Sequence, residues 1–187
     1  NVVTRQWNIP LSKEMTIGGS LSIANRATIT GKLTIGGDFN IGTQTDLGGS
    51  VYVKGNFNQQ WSGYLYMKKG RLEIEGNYNA ANGTYYTELR MQNAEDYIYV
   101  HGNMNFHPYY GSSLTAGTIE VGGDLTSSKN LTAGGSHRFL FSGDKRQQIN
   151  IATSCYFATI ELQNYSEEGV YATNIFNKSK LIRNGCR

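Results

Sequence analysis

The sequence predicts an all-β fold, a single-stranded right-handed β-solenoid (β-helix) of about six coils with a C-terminal β cap. Three observations predict it. A strand-like phrase recurs through the chain, its copies lie close to twenty residues apart, and the composition favours strands, with 23 Gly, 13 Tyr and only 2 Pro. A chain of 187 residues is long enough for one elongated repeat array.

The repeated phrase begins at seven places: "MTIGGSLS" at 15, "LTIGGDFN" at 33, "VYVKGNFN" at 51, "LEIEGNYN" at 72, "IYVHGNMN" at 98, "IEVGGDLT" at 119 and a degenerate "FLFSGDKR" at 139. Its anchoring glycines, at 19, 37, 55, 76, 102, 123 and 143, are separated by 18, 18, 21, 26, 21 and 20 residues. The alternation of apolar and variable residues places two side chains on one face of a strand. The glycine then accepts a backbone corner, and the Asn or Asp after it can form a turn.

A unit of this length cannot bury its apolar face alone, so the copies are expected to stack and to pair strand to strand at about 4.8 Å. The predicted core includes three residues from each of three successive coils: Leu72, Ile74 and Tyr78, then Ile98, Val100 and Met104, then Ile119, Val121 and Leu125. The position after the glycine is expected to form a ladder of side-chain hydrogen bonds through Asp38, Asn56, Asn77, Asn103 and Asp124.

The strict phrase stops near Gly134, which divides the chain into two parts. Residues 1–133 are predicted to form the repeat array, and residues 134–187 a C-terminal β cap continuous with the solenoid. A cap hides an open terminal coil, which would otherwise be an edge prone to aggregation.

Charge and composition argue against several classes of partner. The net charge is +3, and the excess lies in residues 137–187, which carry 7 Lys/Arg and 4 Asp/Glu. The sequence has no cluster of Lys and Arg, so nucleic-acid binding is not predicted. It also has no run of 18 apolar residues, so membrane insertion is not predicted. No cofactor motif or metal-binding Cys/His spacing is present, so no cofactor and no metal are predicted. Cys155 and Cys186 are either two thiols or one disulfide that closes the C-terminal segment.

Three stretches, "LRMQNAEDYIYVHGNMNF", "LTAGTIEVGGDLT" and "GSHRFLFSGDKRQQINI...FATIELQN", resemble a set of secreted β-solenoid repeat proteins of clostridia and related gut Firmicutes. In that set, "L-x-V-x-G-D/N-F" repeats precede a "GTH-x-V-x-L-S-G...Q-x-V" segment and an "F-x-x-L-E-I-x-N" segment. The resemblance covers about residues 28 to 172. It implies an extracellular or cell-surface location and an adhesion or glycan-associated context, and it supplies no catalytic residues. The bare repeat is also similar to bactofilin-type polymerising solenoids, but the long loops here depart from their smooth coils.

Three loops rich in aromatic residues follow equivalent strands: "QQWSGYLY", "AANGTYYTE" and "FHPYYGSS". We expect them to stack at one corner as an aromatic ridge of Trp61, Tyr64, Tyr85, Tyr86, His107, Tyr109 and Tyr110. Aromatic faces stack on sugar rings, so the predicted partner is a polysaccharide or a host or cell-surface glycan. The alternative is that these rings fold down and cover the ends of strands.

One carboxylate pair raises the question of catalysis. Glu73 and Glu75 face outward about 7 Å apart along one strand, a separation within the roughly 6.5–9.5 Å used by inverting glycosidases. Lys54 and His101 are expected beside Glu75, which favours an exposed cross-strand charge pattern instead. The predicted function is therefore a non-catalytic extracellular binding or adhesion module. The alternatives are a structural spacer or self-assembling cell-surface element and, third, a polysaccharide-active enzyme.

Overall fold

The computed structural model describes residues 1–187 apart from 5, 6, 11, 61, 81–86, 109–111, 129–130, 153–154, 174–179 and 184–187. In the described part of the chain every regular element is a β-strand, and the strands wind into a solenoid of about seven turns. The predicted fold class is therefore confirmed, with about one turn more than expected. The full coils of residues 1–127 contribute one strand to each of three faces.

The first face consists of short parallel strands in a nine-stranded sheet. Its members are β1 (Val2–Thr4), β4 (Leu21–Ile23), β7 (Phe39–Ile41), β10 (Phe57–Gln59), β13 (Tyr78–Ala80), β16 (Met104–Asn105), β19 (Leu125–Ser127), β21 (Gln147–Ile151) and β23 (Val170–Thr173). The three-residue strands β4, β7, β10, β13 and β19 each bury two side chains, whereas the longer β21 buries three.

The second and third faces belong to one fifteen-stranded sheet. The second face contains β2 (Trp7–Ile9), β5 (Ala27–Ile29), β8 (Gln44–Leu47), β11 (Tyr64–Met67), β14 (Glu88–Met91) and β17 (Ser113–Leu114). The third face contains β3 (Glu14–Ile17), β6 (Lys32–Ile35), β9 (Ser50–Val53), β12 (Arg71–Ile74), β15 (Tyr97–Val100) and β18 (Thr118–Val121). The strand β20 (Thr132–Phe141) joins the two faces, because Ala133 pairs with β17 and Arg138 pairs with β18.

Parallel strands pair in register from coil to coil, so equivalent residues form columns through the solenoid. Leu72 pairs with Val51 in the coil before it and with Ile98 in the coil after it. All nine predicted core residues are fully buried, which confirms the predicted alternation. Phe39, Phe57 and Tyr78 form one such column, with ring centroids 5.4 and 4.9 Å apart. Phe106, two residues after Met104, packs its ring 5.9 Å from that of Tyr78.

The predicted ladder of Asn and Asp side chains is confirmed. In each step a side-chain Oδ1 accepts a hydrogen bond from the backbone N–H of the equivalent residue one coil later: Asp38 from Asn56 at 2.7 Å, Asn56 from Asn77 at 2.9 Å, Asn77 from Asn103 at 2.8 Å, and Asn103 from Asp124 at 2.8 Å. A second ladder joins the side chains of Asn40, Asn58, Asn79 and Asn105 on the outside of the first face, at 2.9 to 3.0 Å. The two ladders hold successive coils in one register.

The parallel ladders continue beyond Gly134. β21 pairs with β19 and β23, while β22 (Tyr156–Leu162) pairs with β20 and with β24 (Lys180–Arg183). The described strands of residues 134–187 thus extend the solenoid, and the division at residue 133 stays a sequence-based prediction.

Candidate functional site

Most of the predicted aromatic ridge lies outside the described residues: Trp61, Tyr85, Tyr86, Tyr109 and Tyr110. The two remaining members are described. Tyr64 is half-buried on the outside of β11, with its ring centroid 6.2 Å from that of Tyr66. His107 follows β16, where its Nδ1 accepts the backbone N–H of Ser128 at 3.0 Å. The ridge as a whole stays a prediction.

The predicted disulfide also falls partly outside the described residues. Cys155 is half-buried just before β22, whereas Cys186 is not described. The bond between them therefore stays a prediction.

Gln147, which lies in the quoted C-terminal segment "GSHRFLFSGDKRQQINI", has a structural role. The side chain of Gln147 is buried and donates to the carbonyls of Val121 at 2.8 Å and Gly123 at 2.7 Å. Its Oε1 accepts from the Gly143 N–H at 3.0 Å and from Asn164 Nδ2 at 2.8 Å. Every hydrogen-bonding position of this amide is thus used to hold successive coils together.

The outward side chains of the third face form a continuous polar and aromatic surface, here called the tyrosine face. Its members are Tyr52, Glu73, Glu75, Tyr97, Tyr99, His101 and Glu120. Tyr52, Glu73, Tyr99 and Glu120 stand in one column, one per coil. Because paired strands lie about 4.8 Å apart, Tyr52 and Tyr99 are separated by roughly 9.6 Å.

The carboxylates of the tyrosine face hold its rings in place across neighbouring coils. The phenol of Tyr52 donates to Glu75, and the phenol of Tyr97 donates to Glu120. Glu120 also accepts the Ser142 hydroxyl at 2.5 Å. These bonds fix the rings before any ligand arrives.

Glu73 lies at the centre of the tyrosine face. Arg71 donates to it at 3.1 Å, and Nε2 of His101 lies 3.3 Å from its other oxygen. Arg71 also stacks 4.4 Å above the ring of Tyr97, and the His101 and Tyr99 rings lie 4.0 Å apart. Tyr52 differs from the other two tyrosines, since no ring or guanidinium stacks on it among the residues described.

The surroundings of the tyrosine face shift the pKa of Glu73 and of its tyrosines away from neutral pH. Partial burial acts to raise the pKa of Glu73, but hydrogen bonds from Arg71 and His101 outweigh it, and the pKa lies below its usual value. The hydrogen bond to Glu75 raises the pKa of Tyr52, and burial raises the pKa of Tyr99. At neutral pH Glu73 is therefore ionised, and the phenols of Tyr52 and Tyr99 are protonated.

A groove adjoins the tyrosine face at Tyr52, here called the Ser50 groove. It comprises two adjoining cavities of about 430 and about 340 Å³, which share Lys32, Ser50 and Arg71 as walls and floor. The register explains it, because Ser50 stands in one column between the long side chains of Lys32 and Arg71. A short side chain between two long ones leaves a notch.

Glycines extend the floor of this groove around the corner between the second and third faces. The floor contains Gly31, Gly48, Gly49 and Gly70. A Cβ on Gly49 would lie 2.0 Å from the carbonyl oxygen of Gly31, and a Cβ on Gly70 would lie 2.3 Å from that of Leu47. Close approach of successive backbones thus excludes side chains from this corner and keeps the groove open.

The sequence contained a signal for this groove that the prediction missed. The residues before the first five repeated phrases form one column of the third face: Glu14, Lys32, Ser50, Arg71 and Tyr97. The register places Tyr99 between Glu73 and Glu120 in one column. The hydrogen bonds of Glu73 and Glu120 depend on how far neighbouring side chains reach, and the sequence did not predict them.

Comparison with known proteins finds no family model that matches the chain, no matching curated protein and no matching solved structure. Within the described ranges, no three His, Cys, Asp or Glu side chains are grouped so as to hold a metal ion. The same residues include no helix long and apolar enough to cross a membrane.

Proposed function

We propose that this chain is a non-catalytic binding or adhesion module of the cell exterior, that its ligand is a glycan, and that the ligand binds across the Ser50 groove and the tyrosine face. One observation carries the proposal. Tyr52, an aromatic ring with no stacking partner among the described residues, forms the edge of a groove of about 430 Å³ that the charged side chains of Lys32, Arg71 and Glu73 also line.

The chemistry of a sugar chain suits this surface. The apolar face of a sugar ring can pack on an aromatic ring such as Tyr52, and its hydroxyls can bond to carboxylates and guanidinium groups such as Glu73 and Arg71. Tyr99 lies two coils further along the same column, so an extended glycan could contact both rings with different sugar units. Binding sites commonly combine such an apolar surface with a few convergent polar groups.

The charge state of Glu73 does not suit the proton donor of a glycosidase. Glycoside hydrolysis uses one protonated carboxylic acid with a raised pKa as proton donor. On the tyrosine face the carboxyl whose pKa is shifted, Glu73, is shifted downward, so it remains ionised. The extracellular location in this proposal rests on the resemblance of the repeat and C-terminal segments to secreted proteins.

A glycan array followed by calorimetry tests the proposal. For the best-retained glycan we expect Tyr52→Ala to weaken binding roughly 30-fold, the loss of about 2 kcal/mol for a well-placed aromatic contact. The control Tyr165→Ala removes an aromatic ring that is 71% exposed and lies outside the proposed site, and it should bind like the wild type. A structural spacer would bind no glycan on the array.

The aromatic ridge offers a second location for the same activity. A Trp61→Ala, Tyr109→Ala double variant removes two of its rings and leaves the residues of the tyrosine face unchanged. If this variant loses binding while Tyr52→Ala keeps it, the ligand binds at the ridge, and the tyrosine face is not the binding surface.

A further inference from the structure

We infer that the glycan is acidic and that its carboxylate or sulfate groups bind in the Ser50 groove, an inference that rests on the proposed function. Three cationic side chains, Lys32, Lys69 and Arg71, line the groove and outnumber its two carboxylates, Glu73 and Glu95. They come from three positions on neighbouring coils, so they surround the notch over Ser50 rather than forming a row on one strand.

The ion pairs of the two lysines are easily exchanged for a ligand. Lys32 lies 2.6 Å from Glu14 and Lys69 lies 3.5 Å from Glu95, and all four side chains are at least 60% exposed. Ion pairs at such exposed positions contribute little to stability. A bound anion could therefore recruit either ammonium group at small cost to the fold.

Arg71 is held differently and is positioned in advance. Its guanidinium donates to Glu73 at 3.1 Å and stacks 4.4 Å above the Tyr97 ring. One hydrogen bond to Glu73 leaves further N–H donors on the guanidinium, since an arginine side chain carries five. A guanidinium fork matches the geometry of a carboxylate or sulfate group.

The floor of the groove also suits a small oxyanion. Ser50 provides a hydroxyl, and the glycines beside it leave the backbone uncovered. A carboxylate borne on a sugar ring can thus enter beneath the lysine side chains while the ring itself packs against Tyr52. Neutral sugars would offer the three cations hydroxyl groups but no anionic partner.

Polygalacturonate and its methyl-esterified form test whether the ligand must be acidic, separately from whether a glycan binds at all. The two polymers share one backbone and differ in charge. Chondroitin sulfate provides a sulfated arm, and dextran and galactomannan provide neutral arms. We expect the wild type to bind polygalacturonate or chondroitin sulfate at least tenfold more tightly than the neutral polymers, with an affinity that falls as salt increases.

Charge variants then locate the anion. Lys32→Gln with Lys69→Gln should weaken binding to the acidic polymer roughly tenfold for each lysine replaced. The matched control, Lys145→Gln with Lys180→Gln, removes the same charge at exposed positions away from the groove and should bind like the wild type. Ser50→Phe fills the notch and should abolish binding, with an unchanged circular dichroism spectrum showing that the solenoid remains folded.

The outcomes distinguish failure of the inference from failure of the proposed function. Equal binding to esterified and free polygalacturonate, lost in Tyr52→Ala and in Ser50→Phe but unaffected by the lysine variants, overturns the acidic ligand and keeps the glycan site. Equal losses in the groove and control lysine pairs also overturn it, since they show only a long-range charge effect. If the protein binds none of these polymers and no arrayed glycan, both the acidic ligand and the glycan-binding function are overturned.

Discussion

The phenol of Tyr78 donates a 2.6 Å hydrogen bond to Oε1 of Gln59 inside the solenoid core. Both residues are buried, and they come from neighbouring coils of the first face. The amide of Gln59 donates in turn to the carbonyls of Gly63 at 2.8 Å and Glu88 at 2.6 Å. A polar residue at a core position is thus fully bonded and connects three segments of the chain.

Replacing Tyr78 by Phe should destabilise the protein by about 1–3 kcal/mol, because Oε1 of Gln59 then stays buried without the phenol. The melting temperature should fall by roughly 2–4 °C for each kcal/mol lost in a chain of this size. Differential scanning calorimetry measures the change. Tyr64→Phe, on the outside of β11, is the matched control and should melt like the wild type. An unaltered melting temperature in Tyr78→Phe would show that the bond contributes nothing net.

Glycines of the solenoid corners differ in how closely they meet the preceding coil, and this difference predicts unequal tolerance to substitution. A Cβ on Gly49 would lie 2.0 Å from the Gly31 carbonyl oxygen and 2.6 Å from the Thr30 carbonyl carbon, whereas a Cβ on Gly18 would meet nothing within 4 Å. Gly49→Ala must move backbone and should cost about 3 kcal/mol or prevent folding. Gly18→Ala should be neutral or slightly stabilising, because it restricts the unfolded chain.

Urea denaturation of the two glycine variants provides the measurement. A Gly49→Ala protein as stable as Gly18→Ala would mean that the coils can separate at this corner without cost. The close backbone approach that forms the floor of the Ser50 groove would then not be required by the fold.

The sequence predicts the repeating parts of this fold well, because the same physical constraint acts on every coil. Leu72, Ile98 and Ile119 occupy one core column, and period-two alternation is enough to place them inside. The ladder through Asn56 and Asn77 was equally predictable, since an amide at a fixed distance from a glycine corner repeats its bond in each coil.

The candidate site depends on differences between coils, which a repeat pattern does not express. The notch over Ser50 exists only because Lys32 and Arg71 are long, and the contact from Tyr97 to Glu120 runs diagonally between columns. The register slips in β20 between Ala133 and Arg138, where the repeated phrase has already become degenerate. No pattern of spacing placed the intervening His137 inside the protein.

His137 is fully buried next to Phe139, with ring centroids 5.1 Å apart, and neither of its ring nitrogens has a hydrogen-bond partner among the described residues. Burial lowers the pKa of its imidazole from 6.5 to about 3. The folded protein therefore keeps this ring neutral under conditions where the unfolded chain would protonate it.

This pKa difference predicts a loss of stability in acid. Above pH 6.5 the ring is neutral in both states and contributes no pH dependence, whereas between pH 6.5 and about 3 only the unfolded state binds the proton. The free energy of unfolding should then fall by up to about 1.4 kcal/mol per pH unit from this residue.

His137→Leu, which cannot be protonated and leaves no unpaired nitrogen, should remove that part of the fall. Urea denaturation at pH 7 and pH 4.5 should show a wild-type loss larger by about 2–3 kcal/mol than that of His137→Leu. Parallel losses in the two proteins would show that the imidazole gains a proton, or a water partner, inside the fold.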